Sequence, residues 1–589
     1  MSFNQVLLKD YYKRQLISIL DSVQGKKGLV IDPTVSGPLS LVVDFNLLKD
    51  HGVEKIYHLA DGRVEPECKS LIYVTRPTIE NVRWVANQIK YTANVEHTIH
   101  FVPRKTLICD RLLEEEGVYG DVTIGEFHLD IIPLDDDLLS LEMGTSFKDL
   151  FLDGDTSVIQ MLSNAIMKYQ ILYGFGPKIL GKGDASKMLA ELLERSRLNY
   201  LSDIALNSNT ETQETDLDSI LLFDRTVDLL TPMRTQLTYE GLIDELYTIN
   251  STFVELDASF FSNQNNSKTK RLLLNGTDSV FSDIRDSSFE MIATIFDKIT
   301  SSIQKDVESL QQMPVQMNLK DFKGIAVKVD AQKQSLATHQ KLYQKILYHA
   351  AQPSTSIRWA LEDSICSRTV DNSFLEVIED IILSGAPVES PLKLMCLYSL
   401  AHGGVKEKIY DQWKRDIFQA YGAKQIFTLQ ALEKVGLLKP IGNVKSTYSQ
   451  LSKSLKLINH YESSLNPVDI SYTYGGFAPI SIRLIQSATK TLPASSITNR
   501  QVSWKGFEDV LQLLPGSSFE KSVIPSESKT FKTNKRPNQV PYTLVVFIGG
   551  CTTAEISALR VLSNTTHRKF IILTTSVITG NRLINSLAI

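Results

Sequence analysis

Short apolar runs alternate with amphipathic stretches of about a dozen residues through the first quarter of the chain. This alternation restricts the fold more than any other feature. KGLVID (27–32), KIYHL (55–59), SLIYVT (70–75) and HTIHFVP (97–103) have the length and composition of strands, and Arg76-Pro77 closes the third. Between them, the stretch Leu39–Leu48, TIENVRWVANQIK (78–90) and TLICDRLLEEEG (106–117) repeat apolar residues at the helical period. Strands separated by helices of this length imply a parallel sheet covered by helices. The pattern predicts a first α/β domain over 1–135.

A second α/β region begins at 136. Helices are expected over 158–174 and 185–200, an acidic loop over 211–218 and a buried strand, SILLFDR, over 219–225. That is too little to finish a sheet before 250. Helical periodicity then dominates to about 480. PYTLVVFIGG (541–550), TAEISALRVLSN (553–564) and RKFIILTTS (568–576) restore strand–helix–strand. The economical reading divides the second α/β domain into 136–250 and 481–589, with a helical insertion comprising 251–365 and 366–480. The polar segments 262–270 and 526–541 read as a mobile stretch and a linker.

The composition supports a large core, with 43% hydrophobic and 22% charged residues, that needs no disulfide or metal to stabilise it. A net charge of −5 argues against nucleic acid as the main partner, which would require clustered Lys and Arg. Cys68, Cys109, Cys366, Cys396 and Cys551 are scattered and read as reduced thiols. The opening MSFNQVLLKDYYKRQL is an amphipathic helix and not a signal peptide. No apolar run approaches the roughly 20 residues that span a bilayer, so membrane association is expected only through partners.

Four places carry candidate chemistry. GPKILGKG (176–183) follows a phosphate-binding loop up to Lys182, but Gly183 stands where the magnesium-holding hydroxyl belongs. Its expected setting is a turn between helices, which argues against nucleotide. Asp135, Asp136 and Asp137 lack the spacing of a calcium loop and read as a turn or cap. Asp224, Arg225 and Asp228 follow a buried strand, where α/β proteins place sites. The plainer alternative is an internal Asp–Arg ion pair pinning the strand end. The histidines show no metal spacing, and His97 and His100 should point to opposite faces of one strand.

Several blocks resemble the SM (Sec/Munc-like) family of SNARE regulators. In LLFDRTVDLLTPMRTQLTYEGLIDELY (221–247), Asp224, Arg225, Asp228, Pro232, Tyr239, Asp244 and Glu245 match the family signature. IIPLDDDLLSLE (131–142), YGAKQIFTLQALEKVGLLKP (421–440), NPVDISYTYGGFAPISIRLIQ (466–486) and FIGGCTTAEISALRVL (547–562) match further blocks in order. They look most like the vacuolar protein sorting branch, in its A-type form. The resemblance implies an arch of two α/β open-sheet domains with a large, mostly helical domain inserted into the second.

The resemblance also implies a function without covalent chemistry and without cofactor or metal. The family templates SNARE helices for vesicle docking and fusion. This branch acts at late endosomes and lysosomes or vacuoles, inside HOPS- or CORVET-type tethers, through a class C propeller/solenoid subunit. The candidate template lies at 304–350, where Pro314 breaks one helix and Asp330 can cap another. Phe322, Leu336, His339 and Tyr343 are the SNARE-binding candidates, and the last three share a helix face with Ile346. Lys414, Ala423 and Ile426 map to the tether contact, with Ala423 standing where relatives often carry tyrosine. Two alternatives are an SM protein of another trafficking route and a nucleotide-dependent α/β enzyme using Gly176–Lys182.

Overall fold

A computed structural model describes residues 5–92, 94–206, 217–257, 269–311, 319–370, 373–441, 446–459, 469–489, 502–522, 540–566 and 568–588. The acidic 211–216, most of 262–270 and nearly all of 526–541 lie outside the described residues. The chain divides into two compact units, 1–141 with 250–253, and 142–249 with 254–589.

The first unit holds β1 (Lys27–Ile31), β2 (Val53–His58), β3 (Ser70–Thr75), β4 (Glu96–Phe101) and β5 (Val122–Glu126). They form one sheet in the order β2-β1-β3-β4-β5, parallel throughout. Residues of β1 and β3 are all buried, as expected for strands covered on both faces. Asp32 ends β1 and ties the strand ends together. It accepts from Thr34 N at 2.8 Å, Arg76 N at 3.0 Å and Asn81 Nδ2 at 2.7 Å. The N-terminal helix Val6–Ser22 docks through Tyr12, whose hydroxyl donates to Asp130 at 2.7 Å and accepts from Ile131 N at 3.0 Å.

One expectation needs correction here and another is met. The single helix over Leu39–Leu48 is two short helices, Pro33–Ser40 and Phe45–Asp50. The first ends by Leu41, and buried Val42 and Val43 lie between them. The acidic triplet sits at the tip of an antiparallel hairpin, β6 (Ile132–Asp135) with β7 (Leu138–Ser140). The Asp135 carboxylate accepts from Asp136 N at 2.8 Å, which is turn chemistry.

In the second unit, β8 (Lys178–Lys182), β9 (Leu217–Asp224), β12 (Ser518–Ser522), β13 (Tyr542–Ile548) and β14 (Lys569–Thr574) run in the order β12-β8-β9-β13-β14. Only the edge strand β12 pairs antiparallel among these. The late strands β13 and β14 thus continue the sheet begun by β8 and β9. Within the stretch where helical periodicity dominates, β10 (Phe253–Asp257) and β11 (Thr269–Leu273) form a small sheet. Beyond it, the helices Ile292–Gln311 and Leu319–Ala350 pack around buried Phe281, Ile292, Phe296, Leu342 and Ile346. Asp330 caps nothing. It is an exposed residue inside one continuous helix, bonded to Gln334 at 2.9 Å.

Candidate functional site

The strand β9 delivers Asp224 and Arg225 into a buried polar node. Arg225 is fully enclosed and forks onto Glu555, with Nη1 at 2.8 and 3.1 Å and Nη2 at 3.1 Å from the carboxylate oxygens. Its Nε donates to the Asp228 carbonyl at 2.8 Å, and Asp228 Oδ2 lies 3.5 Å from the guanidinium. Ser481 bridges the two acids, donating its N–H to Asp228 at 3.0 Å and its hydroxyl to Glu555. Burial drives the Asp228 carboxyl above its ordinary range despite Arg225. Burial opposes ionisation of Glu555 too, but Arg225 outweighs it and holds that carboxyl below the usual range.

Asp224 plays a different part from the one expected. Among the described residues it pairs with no arginine. It accepts from Thr226 N at 2.8 Å and from Ala185 N at 3.1 Å, fastening the strand end to its own turn and to the helix Asp184–Leu206. The rest of the signature spreads outward. Asp244 meets Arg582 at 3.0 Å, Glu245 meets Lys393 at 3.1 Å, and Tyr239 shares hydrogen bonds with His339. The backbone at Pro232 lies against Gly580, where an added Cβ would come within 2.5 Å of the Pro232 carbonyl. These groups are used up on one another, and the arrangement holds elements of the second unit together.

The residues around Lys182 also differ from expectation. Residues 178–182 are a strand leading into a helix, not a turn between helices. Even so, the glycine-lysine run lies in the strand and not in a loop. Lys182 is buried, and its ammonium donates to the Gly516 carbonyl. Gly183 has φ 107°, and a Cβ there would fall 2.2 Å from that of Asp224. The packing that fixes Asp224 therefore forbids the missing hydroxyl.

The SNARE candidates stand mostly in the core. Leu336 is 7% exposed and His339 is fully buried. His339 hydrogen-bonds Tyr239 at 3.1 Å and lies 3.4 Å from Asp278. Tyr343 packs on Phe289 and Phe296 with ring centroids 4.9 and 5.7 Å apart. Phe322 lies in the same helix, and its side chain is outside the described residues. The face Leu336–His339–Tyr343–Ile346 is thus the inner face of the helix, because its apolar residues cover Phe281 and Phe289.

The tether candidates lie on the hairpin of helices Glu407–Tyr421 and Gln425–Lys434. Tyr410, Trp413 and Ile417 face inward. Lys414 reaches Glu433 at 2.8 Å and lies over the Tyr410 ring. Ala423 is exposed in the connecting turn, flanked by Phe418, Ile426 and Phe427, which are 44%, 43% and 54% exposed.

Sequence reasoning missed Glu555 and Ser481, which complete the buried node, and Lys393 and Arg582, which pair with Glu245 and Asp244. One signal for Glu555 was available. Thr552 and Glu555 have capping-box spacing, and both reciprocal bonds form. Among the described residues, no group of three or more His, Cys, Asp or Glu is arranged to hold a metal. No described helix is long and apolar enough to cross a membrane.

Known proteins are similar to this chain along nearly its whole length. Vacuolar protein sorting-associated protein 33A of Rattus norvegicus is 33% identical over 602 residues, covering 99% of this chain and 98% of its own. The vacuolar protein-sorting-associated protein 33 homolog of Arabidopsis thaliana is 33% identical, covering 98% of this chain and 96% of its own. The SM protein Vps45, solved in complex with the Qa SNARE Tlg2, has the same fold. Its TM-score is 0.58 at 15% identity, with 98% of this chain and 97% of that one covered. Residues 27–586 match the Sec1 family, and with a third of its residues shared end to end with such relatives, the chain belongs to that family.

Proposed function

We propose that this chain is a SNARE-binding chaperone of the vacuolar protein sorting type. In this reading it performs no covalent chemistry. A class C subunit carries it, within HOPS- or CORVET-type complexes, to late endosomes and lysosomes or vacuoles. The observation that supports this best is the end-to-end similarity to the vacuolar protein sorting-associated relatives. A disordered SNARE loses entropy when it becomes helical, and a preformed surface that receives it offsets part of that cost. Because the inner face of Leu319–Ala350 is spent on the core, a SNARE helix would meet the outer face, where Val327 and Tyr348 are exposed.

The tether contact fits the turn at 418–427. Ala423 cannot supply an aromatic anchor, but exposed Phe418 and Phe427 flank it. Aromatic residues filling a partner's pocket carry much of an interface's energy. The test is a pull-down of the native complex with its subunits identified. Ile426→Lys combined with Phe427→Asp should lose the class C partner and keep SNARE binding. Parental-level recovery of that partner by the double variant would remove the assignment.

A further inference from the structure

A cavity of about 900 Å³ opens where the helix Pro353–Ser367 ends, beside the helix Tyr448–Ser454 and the start of Ile480–Ala488. Four cations line it: Arg368, Lys453, Lys456 and Arg483. The one acid in its lining, Asp469, is already taken, since Arg483 grips it at 2.7 and 2.6 Å. Arg368, Lys453 and Lys456 are exposed, and no carboxylate pairs with them among the described residues. Arg368 and Lys456 both sit on left-handed backbone, with φ 58° and 50°. Residues with a Cβ seldom adopt that conformation. The Nε of Arg483 is buried without a hydrogen-bond partner. Ser449 and Ser452 add hydroxyls to the lining.

Like charges crowded around a concavity repel one another and concentrate counter-anions. Arginine and lysine together are the usual means of holding phosphate, the first as a fork and the second as a point charge. One phosphate brings at most about two negative charges, fewer than the three unpaired cations, so more than one phosphate is needed to neutralise the site. The volume is within the range of sites for small molecules. We propose that this cavity binds a multiply phosphorylated anion, either free or as the headgroup of a lipid.

The test uses the full chain and inositol hexakisphosphate, followed by isothermal titration calorimetry. The parental chain should bind, and Lys453→Glu with Lys456→Glu should weaken binding at least about tenfold, since each charged hydrogen bond lost is worth that much or more. Both positions are exposed, so the melting temperature should not move. Arg368→Ala should weaken binding in the same direction. A control of equal charge change on exposed residues of the first unit, Lys49→Glu with Lys69→Glu, should bind like the parent. No binding by the parent, or equal loss in the control pair, overturns the proposal. Flotation with phosphatidylcholine vesicles, with and without a phosphatidylinositol bisphosphate, separates the sources. Lysine-dependent flotation assigns the headgroup, and calorimetric binding without flotation assigns the free anion.

Discussion

The buried node around Arg225 and the exposed turn around Ala423 are both spelled out in blocks that resemble the SM family, yet they are opposite kinds of structure. In the node, every charge has a partner, and most partners lie hundreds of residues away, as Glu555 does from Arg225. At the turn, Phe418, Ile426 and Phe427 face solvent and nothing in the unit needs them there. The residues that identify the family most clearly are therefore those that build it. The residues with surface left to spend on partners, such as Phe418 and Phe427, are less distinctive.

The sharpest way to break the contrast is Glu555→Ala, which strips buried Arg225 of its forked carboxylate and leaves it only Asp228, 3.5 Å away. The expected loss is about 3–5 kcal/mol, read as a large drop in melting temperature. A melting curve that does not move would show that the node is not structural. Leu336→Ala comes next. It opens a cavity in the core of the helical part and should cost about 2–5 kcal/mol, whatever it does to SNARE binding. Loss of SNARE binding at unchanged stability would return Leu336 to the role the sequence suggested.

A smaller effect is expected from pH. Burial pushes the Asp278 carboxyl up, but hydrogen bonds from His339 and Ser335 outweigh it and hold the group at about 2. A depressed carboxylate stabilises the fold above its unfolded value near 4 and loses that contribution as the pH falls toward 2. Asp278→Asn should flatten the acid limb of the melting temperature between about pH 4 and pH 2. An unaltered limb would show that the Asp278–His339–Ser335 cluster contributes nothing to it. Least of all should Ile426→Lys disturb the fold, within about 0.5 kcal/mol, since its side chain is already in water. A larger loss would mean that the turn packs against something essential and is not a free surface.

The layers of the fold were legible because strand and helix periods are local properties. β1, β3 and β4 and the helices after β3 and β4 fall close to their predicted places, and the late strands were recognisable as missing members of an earlier sheet. What failed was depth. A helix pattern shows that Leu336, His339 and Tyr343 share a face, but not whether that face meets solvent or core. Phe281, Phe289 and Phe296, which cover it, are too far along the chain to be inferred. The partner of Arg225 was hidden for the same reason. The nearest acids, Asp224 and Asp228, looked sufficient, although Asp224 turns away to cap Thr226. The segment 413–429 was singled out through resemblance as helical, and only the structure shows the turn within it and the exposure of Phe418 and Phe427.

The neighbouring positions of β9 and β13 bear on how the protein is made. Ser219 and Thr543, which touch across these strands, are 324 residues apart. At roughly 5–20 residues per second, a ribosome needs about 15–65 s to supply β13 after β9 has been synthesised. During that interval β9, apolar along most of its length, presents an open edge of the kind that recruits other chains. The nascent polypeptide therefore calls for a chaperone until β13 appears. A premature stop codon anywhere before 540 would do more than shorten the product. It would release a chain whose central sheet can never close and whose Arg225 never meets its carboxylate, a substrate for degradation rather than a weakened protein.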